Sequence, residues 1–336
     1  MSFECAIAAP HELAVEAAEE AVRDGGNAID AALAAAATLT VVYPHMCSVG
    51  GDLFALVASP AGEVTAIDAS GPAAGRVDPD ELARHGTMPI TGPDTVTVPG
   101  VLAGWEAVAA LGAAGGLAGS VRRASALARE GVGASPSLAR ATAANEAALA
   151  ADEGMRGILM PGGRPLAAGD ALTQPALAAS LDAIAADGAD AFYRGELGAR
   201  FLAGLEPLGS PLRADDLEAY RPEAAAPLTG RFDGVEVMTS PPASQGLLLL
   251  ETLNAITASG EGELLGRRAD LLARIFHLAS RDRDEHLADP RQVRVPLERL
   301  LSPDHAEWLA AQARRDLESG GPAPPSGPKP TGDTGA

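Results

Sequence analysis

Residues 24–54 read DGGNAIDAALAAAATLTVVYPHMCSVGGDLF. Gly25 and Gly26 end an amphipathic segment, residues 10–24, in which Leu13, Ala17, Ala21 and Val22 share a helical face. Asn27 can accept from the first free N–H groups of a new helix, and Asp30, three residues on, can return the bond as in a capping box. Ile29, Leu33, Ala37 and Val41 then recur at helical spacing, and Pro44 closes the helix. A polar, glycine-containing loop follows over residues 45–52. Residues 53–58 and 63–69 predict a hairpin around Ser59, Pro60, Ala61 and Gly62. Two helices leading into a hairpin point to a mixed α/β fold.

Outward from this stretch, helices dominate. Residues 95–98 predict a short strand ended by Pro99 and Gly100, and residues 101–111 a helix with Val101, Trp105 and Val108 on one side. Ser120, Ser135 and Thr173 are expected to cap helices, with Pro136 and Pro175 in first turns. Residues 232–238 alternate like one strand, and residues 247–258 and 268–287 look helical. Residues 319–334, SGGPAPPSGPKPTGDT, predict a flexible, exposed linker. A linker so close to the end of the sequence suggests a partner segment beyond it.

Composition agrees and excludes several classes. Of the 336 residues 47% are hydrophobic but only 3% aromatic, so the core must come from Ala, Leu, Val and Ile, which favours layered helices over an all-β fold. The formal charge of -20, with Lys329 the only lysine, argues against nucleic acid and against anionic membrane surfaces. Residues 31–43 form the best apolar run and are too short to span a bilayer; the N-terminus lacks a basic region followed by an apolar run, so a soluble, cytoplasmic protein is expected. Cys5 and Cys47 show no metal spacing and are expected as buried free thiols. His277, Asp282, Asp284, Glu285, His286 and Asp289 crowd one segment, but the two histidines fall on opposite faces of a helix, about 180° apart. A solvated face with a structural ion pair is expected there, and no metal. Gly50 and Gly51 fit no dinucleotide fingerprint, and Ser244, in PPASQG, does not sit in a nucleophile elbow. Residues 1–318 contain no self-sufficient catalytic triad, so an enzyme needs groups at or beyond the tail.

Five segments, in order, resemble the gamma-glutamyltransferase family. DGGNAIDAA at 24–32 is similar to its G-G-N-A-x-D-A-A element. VYPH at 42–45 followed by VGGDLF at 49–54 is similar to its V-x-P-x and G-G-x-x-F loop and strand. TVPG at 97–100 with Gly104, PPASQG at 241–246, and ASRDR at 279–283 with LADP at 287–290 complete the series. The resemblance spans roughly residues 5–303 and rests on order and spacing.

The resemblance implies the large-subunit part of an N-terminal-nucleophile (Ntn) hydrolase, an αββα sandwich that is helix-rich and incomplete without the strands of the small subunit. Residues 1–318 form that large-subunit region and residues 319–336 the linker to the processing site. Self-cleavage of a precursor frees an N-terminal threonine whose α-amine serves as base for its own hydroxyl. Gly332, Asp333 and Thr334 match the family's G-D-T, which makes Thr334 the implied nucleophile; the residue after Ala336 and Thr331 are the alternatives. Gly50, Gly51 and Asp52 become a supporting loop near the cleft, and Ser244, Gln245 and Gly246 a substrate-binding loop. Ser70 stands where the family's transferases carry the arginine that clamps the substrate's α-carboxylate, and Arg76 is the nearest replacement. No metal or organic cofactor is implied. The implied partners are the chain's own small subunit, a small-molecule amide or γ-glutamyl substrate such as glutathione, and further copies of the processed heterodimer. The oxyanion-hole glycines belong to the small subunit, so this chain alone is expected to be inactive. Two other readings stand beside this one: an amidase of another acyl group, like a β-lactam side-chain acylase, and a non-catalytic scaffold derived from the family.

Overall fold

The computed structural model describes residues 5–84, 86, 88–261 and 267–320. The chain divides into two compact units. The first comprises residues up to Leu53 and Ala69–Pro222; the second comprises Phe54–Asp68 and the described part of Glu223–Pro330.

The first unit is built around the helix Ala28–Val42. Its apolar residues run all the way round, and Ala31, Leu33, Ala34, Ala37, Val41 and Val42 are buried; a helix apolar on every side belongs inside. It packs against Glu12–Arg23 and against Gly116–Glu130, which in turn packs against Pro175–Asp187. The contacting faces are rich in alanine, including Ala14, Ala17, Ala18, Ala124, Ala128 and Ala178, which lets the helices approach closely. The expected capping box is present. Asn27 Oδ1 accepts from the N–H of Ile29 at 2.9 Å, and Asp30 Oδ2 accepts from the N–H of Asn27 at 2.9 Å. Asp30 also reaches a distant segment, accepting from the N–H groups of Ala114 and Gly115, both at 2.8 Å. Gly26 must be glycine, since a Cβ there would lie 2.7 Å from the Ala21 carbonyl oxygen and 2.8 Å from Asp30 Cβ.

The second unit contains the hairpin. Strands Leu53–Ala58 and Val64–Ala69 lie side by side, and the latter pairs antiparallel with Glu223–Ala225 in the register Ala66 to Ala225 and Asp68 to Glu223. Beyond this sheet, helices Gly246–Ser259, Ala269–His286 and Pro303–Glu318 enclose Ala255, Leu271, Ile275, Leu278, Leu309 and Ala313. Among the described residues, no helix is long and apolar enough to cross a membrane.

Four expectations need correction. Residues 95–98 do not pair as a strand among the described residues: a 3-10 turn covers Pro93–Thr95, and Val98, fully buried, donates its N–H to the Pro72 carbonyl at 3.1 Å. Residues 232–238 are not one strand but the end of Leu228–Phe232, a turn at Asp233 and Gly234, and the start of Val235–Thr239. Asp233 and Gly234 both have positive φ, 48° and 77°, the backbone of a two-residue hairpin turn. Ser135 caps its helix through Leu138, but Ser120 lies inside Gly116–Glu130, and Gln174 rather than Thr173 occupies the cap before Pro175. Both cysteines are free thiols, yet Cys5 is exposed and Cys47 only half-buried.

Candidate active-site region

In the first unit, three sequence segments meet at backbone distance. The Gly51 carbonyl accepts from the N–H groups of Gly100 and Val101, at 3.0 and 2.9 Å, and so caps the start of helix Val101–Ala110. Asp52 Oδ1 accepts from the N–H of Gly71 at 3.1 Å. A Cβ at Gly71 would fall 1.6 Å from the Val98 carbonyl oxygen, and one at Gly100 would fall 1.9 Å from the Ala69 carbonyl oxygen. No side chain fits at either position, so residues 48–52, 69–71 and 98–101 are locked as a backbone-to-backbone knot.

Two tyrosines brace the knot. Tyr193 donates to the Pro99 carbonyl at 2.6 Å and accepts from the N–H of Ala103 at 3.2 Å. Burial is the main cause that pushes its phenol well above the usual range, so it remains a neutral donor. Tyr220 stacks on it, with ring centroids 5.6 Å apart, and donates to the Ser70 carbonyl at 3.4 Å. Sequence reasoning missed both residues. The available signal was that residues 192–220 hold two of the three tyrosines and four of the eleven aromatic residues of an aromatic-poor chain.

Gly50 and Gly51 differ from Gly71 and Gly100. Neither has positive φ, and a Cβ at either would meet only Ser48 atoms, at 3.6 Å or more. Among the described residues, nothing in the packing demands glycine there. Beside this loop lies a cavity of about 430 Å³, lined by Thr40, His45, Cys47, Ser48, Asp52 and Trp105 among others. His45 Nδ1 and Trp105 Nε1 are buried without a hydrogen-bond partner among the described residues. Cys47 is not an activated nucleophile, because burial pushes its thiol up. Burial, and then the charge of Arg140, push the His45 imidazole down, so it is neutral at pH 7.

The other expected site residues fall as follows. Ser70 is half-buried and follows directly on strand Val64–Ala69. Arg76 is exposed and makes no ion pair among the described residues. Ser244, Gln245 and Gly246 belong to the second unit, at the start of helix Gly246–Ser259. The Ser244 hydroxyl donates to the Ser240 carbonyl at 2.8 Å and accepts from the N–H of Gly246 at 3.2 Å, so it holds the turn that starts the helix. A Cβ on Gly246 would lie 2.1 Å from Thr239 Oγ1. Gln245 is exposed. Thr331 and Thr334 lie outside the described residues.

The acidic segment at 277–289 is not a uniformly solvated face. His286 meets Arg299, at 2.6 Å, and Glu285, but Asp282 turns inward. His305 Nε2 lies 2.9 Å from Glu251 Oε1 and 3.1 Å from Asp282 Oδ2. Glu251 is 1% exposed. Burial first, and the adjacent Asp282 carboxylate second, push the Glu251 carboxyl up to about 9. Sequence spacing could not show this cluster, because its members come from three different helices.

Comparison with known proteins assigns the class. Residues 14–331 match the gamma-glutamyltranspeptidase family, to which the chain belongs. Its fold is the large-subunit part of an Ntn-hydrolase-like α/β protein. The chain is 34% identical to the oxamate amidohydrolase proenzyme of Klebsiella pneumoniae, over 97% of this chain and 62% of that protein. It is 35% identical to a glutathione hydrolase-like proenzyme of Bacillus subtilis, over 91% of this chain and 59% of that protein. The crystal structure of a cephalosporin acylase from Bacillus halodurans superposes with a TM-score of 0.83 at 30% identity, covering 89% of this chain and 58% of that one. The chain thus spans about three fifths of the length of the curated relatives it matches.

Proposed function

We propose that this chain is the large-subunit region of a gamma-glutamyltransferase-like amidohydrolase whose nucleophile is Thr334, released by autoproteolysis. Family membership over residues 14–331, reaching to within a few residues of the Gly332, Asp333, Thr334 sequence, carries the proposal. Cleavage before Thr334 frees its α-amine. The amine takes the hydroxyl proton as Oγ attacks the substrate's amide carbonyl; the amine half of the substrate leaves with a proton, and water or an acceptor amine then releases the acyl group. The knot around Gly51, Gly71 and Gly100 is the rigid support, and Gly50 and Gly51 leave room beside it for the small subunit or substrate. This chain alone is inactive, since the oxyanion donors come from the other subunit.

A second reading concerns the acyl group. Ser70 has no charge and no two-pronged donor set, which favours a substrate without the γ-glutamyl α-carboxylate. The names of the Klebsiella and Bacillus halodurans relatives, an oxamate amidohydrolase and a cephalosporin acylase, point the same way. Full-length protein assayed on γ-glutamyl anilide, glutaryl anilide and oxamate separates the readings. Under either reading Thr334→Ala leaves one uncleaved band on a denaturing gel and no turnover. A Thr334→Ala protein that still cleaves itself and turns over substrate refutes the nucleophile.

A further inference from the structure

We propose that Glu251, Asp282 and His305 form a binding site for one divalent transition-metal ion, Zn²⁺ or an ion of similar ligand preference. The three residues come from helices Gly246–Ser259, Ala269–His286 and Pro303–Glu318, and one ligand atom from each lies within 4.8 Å of the other two. The separations of 2.9 and 3.1 Å from His305 Nε2 to the two carboxylate oxygens are near the roughly 3.4 Å expected between ligands at tetrahedral angles and bond lengths of about 2.1 Å. A shift of a few tenths of an ångström admits the ion.

An independent observation also points to a ligand. Glu251 Oε2, on a residue only 1% exposed, is buried without a hydrogen-bond partner among the described residues. A buried carboxylate oxygen left unsatisfied is costly. It sits on the same carboxyl group as the Oε1 that meets His305, so a metal held there would satisfy it. A divalent ion would offset the buried negative charge of carboxylate ligands that lose their protons on binding it. One imidazole nitrogen with carboxylate oxygens suits Zn²⁺ or Mn²⁺ better than Mg²⁺ or Ca²⁺, which prefer oxygen alone. Its role is to clasp three helices over the core of Ala255, Leu271, Ile275, Leu278, Leu309 and Ala313.

The Trp308 ring stacks on His305 at 5.6 Å and 17°, giving a built-in reporter. Full-length protein is stripped with chelator, dialysed, and titrated with Co²⁺. The expected result is one Co²⁺ per chain, visible absorption of a low-symmetry site, quenched Trp308 fluorescence, and a melting temperature raised by several degrees. Glu251→Gln and His305→Gln each weaken Co²⁺ binding by about 100-fold or more, beyond the 10–100-fold typical of outer-shell partners. If stripped wild-type protein takes up no Co²⁺, or if both variants bind it as tightly as wild type, the site is refuted. Should a variant fail to fold, the wild-type stoichiometry and melting shift decide alone: no uptake and no shift overturn the proposal.

Discussion

The Asp30 carboxylate ties the start of one helix to a segment far along the chain, and its replacement has a calculable effect. It accepts from the N–H of Asn27 at 2.9 Å and from those of Ala114 and Gly115, both at 2.8 Å, on a residue only 3% exposed. Burial alone would raise its pKa, but the backbone donors from Asn27, Gly115 and Ala114 together outweigh burial and hold it below the usual carboxylate range. Asp30→Asn keeps the shape, but its amide can offer only one oxygen. At least one N–H then faces an NH₂ group, and the remaining bonds lose their charge assistance. Hydrogen bonds to charged groups contribute about 1.5–3 kcal/mol each, so the net loss is about 3 kcal/mol. For a unit of this size that lowers the melting temperature by roughly 6–12 °C. The sign with pH follows from the lowered value. The contribution is present above the unfolded pKa, 3.8, and disappears as pH falls through the lower native one. Differential scanning calorimetry of parent and Asp30→Asn, with exposed Glu19→Gln as control, should show a full gap at pH 7 that narrows in acid. A gap under about 1 °C at pH 7, or one that does not narrow in acid, refutes the reasoning.

Tyr193→Phe leaves the Pro99 carbonyl and the Ala103 N–H without their partner, and urea titration should show a loss of about 1–3 kcal/mol. Gly100→Ala, whose Cβ would lie 1.9 Å from the Ala69 carbonyl oxygen, should yield no soluble folded protein. Gly157→Ala, in helix Glu153–Leu159 with nothing within 4 Å of its Cβ, should instead stabilise by about 0.4–1 kcal/mol in the same titration.

What the sequence discloses follows the range of the interactions. The capping box at Asn27 and Asp30 is legible because both bonds close within one turn, and the first hairpin because its turn residues stand out. The hairpin at Asp233 and Gly234 carried a clear turn signal, but residues 232–238 alternate well enough to read straight through it. Residues 95–98 look like a strand from composition, yet strand pairing depends on a neighbour that no local pattern names. The same holds for the candidate site. The Gly50, Gly51 loop and the TVPG turn were visible as motifs. Their union through Gly51, Asp52 and Gly71, and the bracing by Tyr193 and Tyr220, depend on contacts between segments far apart in the chain. Asp282 illustrates the limit most clearly. Its neighbours in sequence suggest a solvated face, while its neighbours in space, Glu251 and His305, are separated from it by whole helices.

The pairing of Ala66 with Ala225 also sets a schedule for synthesis. Strand Val64–Ala69 is translated early, but the strand it pairs with, Glu223–Ala225, appears about 155 residues later, roughly 8–30 s at ordinary elongation rates. Through that interval one edge of the first hairpin offers unmatched N–H and C=O groups while the next 150 or so residues emerge. The chain is therefore most prone to misassociate while still on the ribosome. Slowing translation upstream of codon 223, or limiting holdase chaperones, should cost more soluble protein than the same treatment applied after that point.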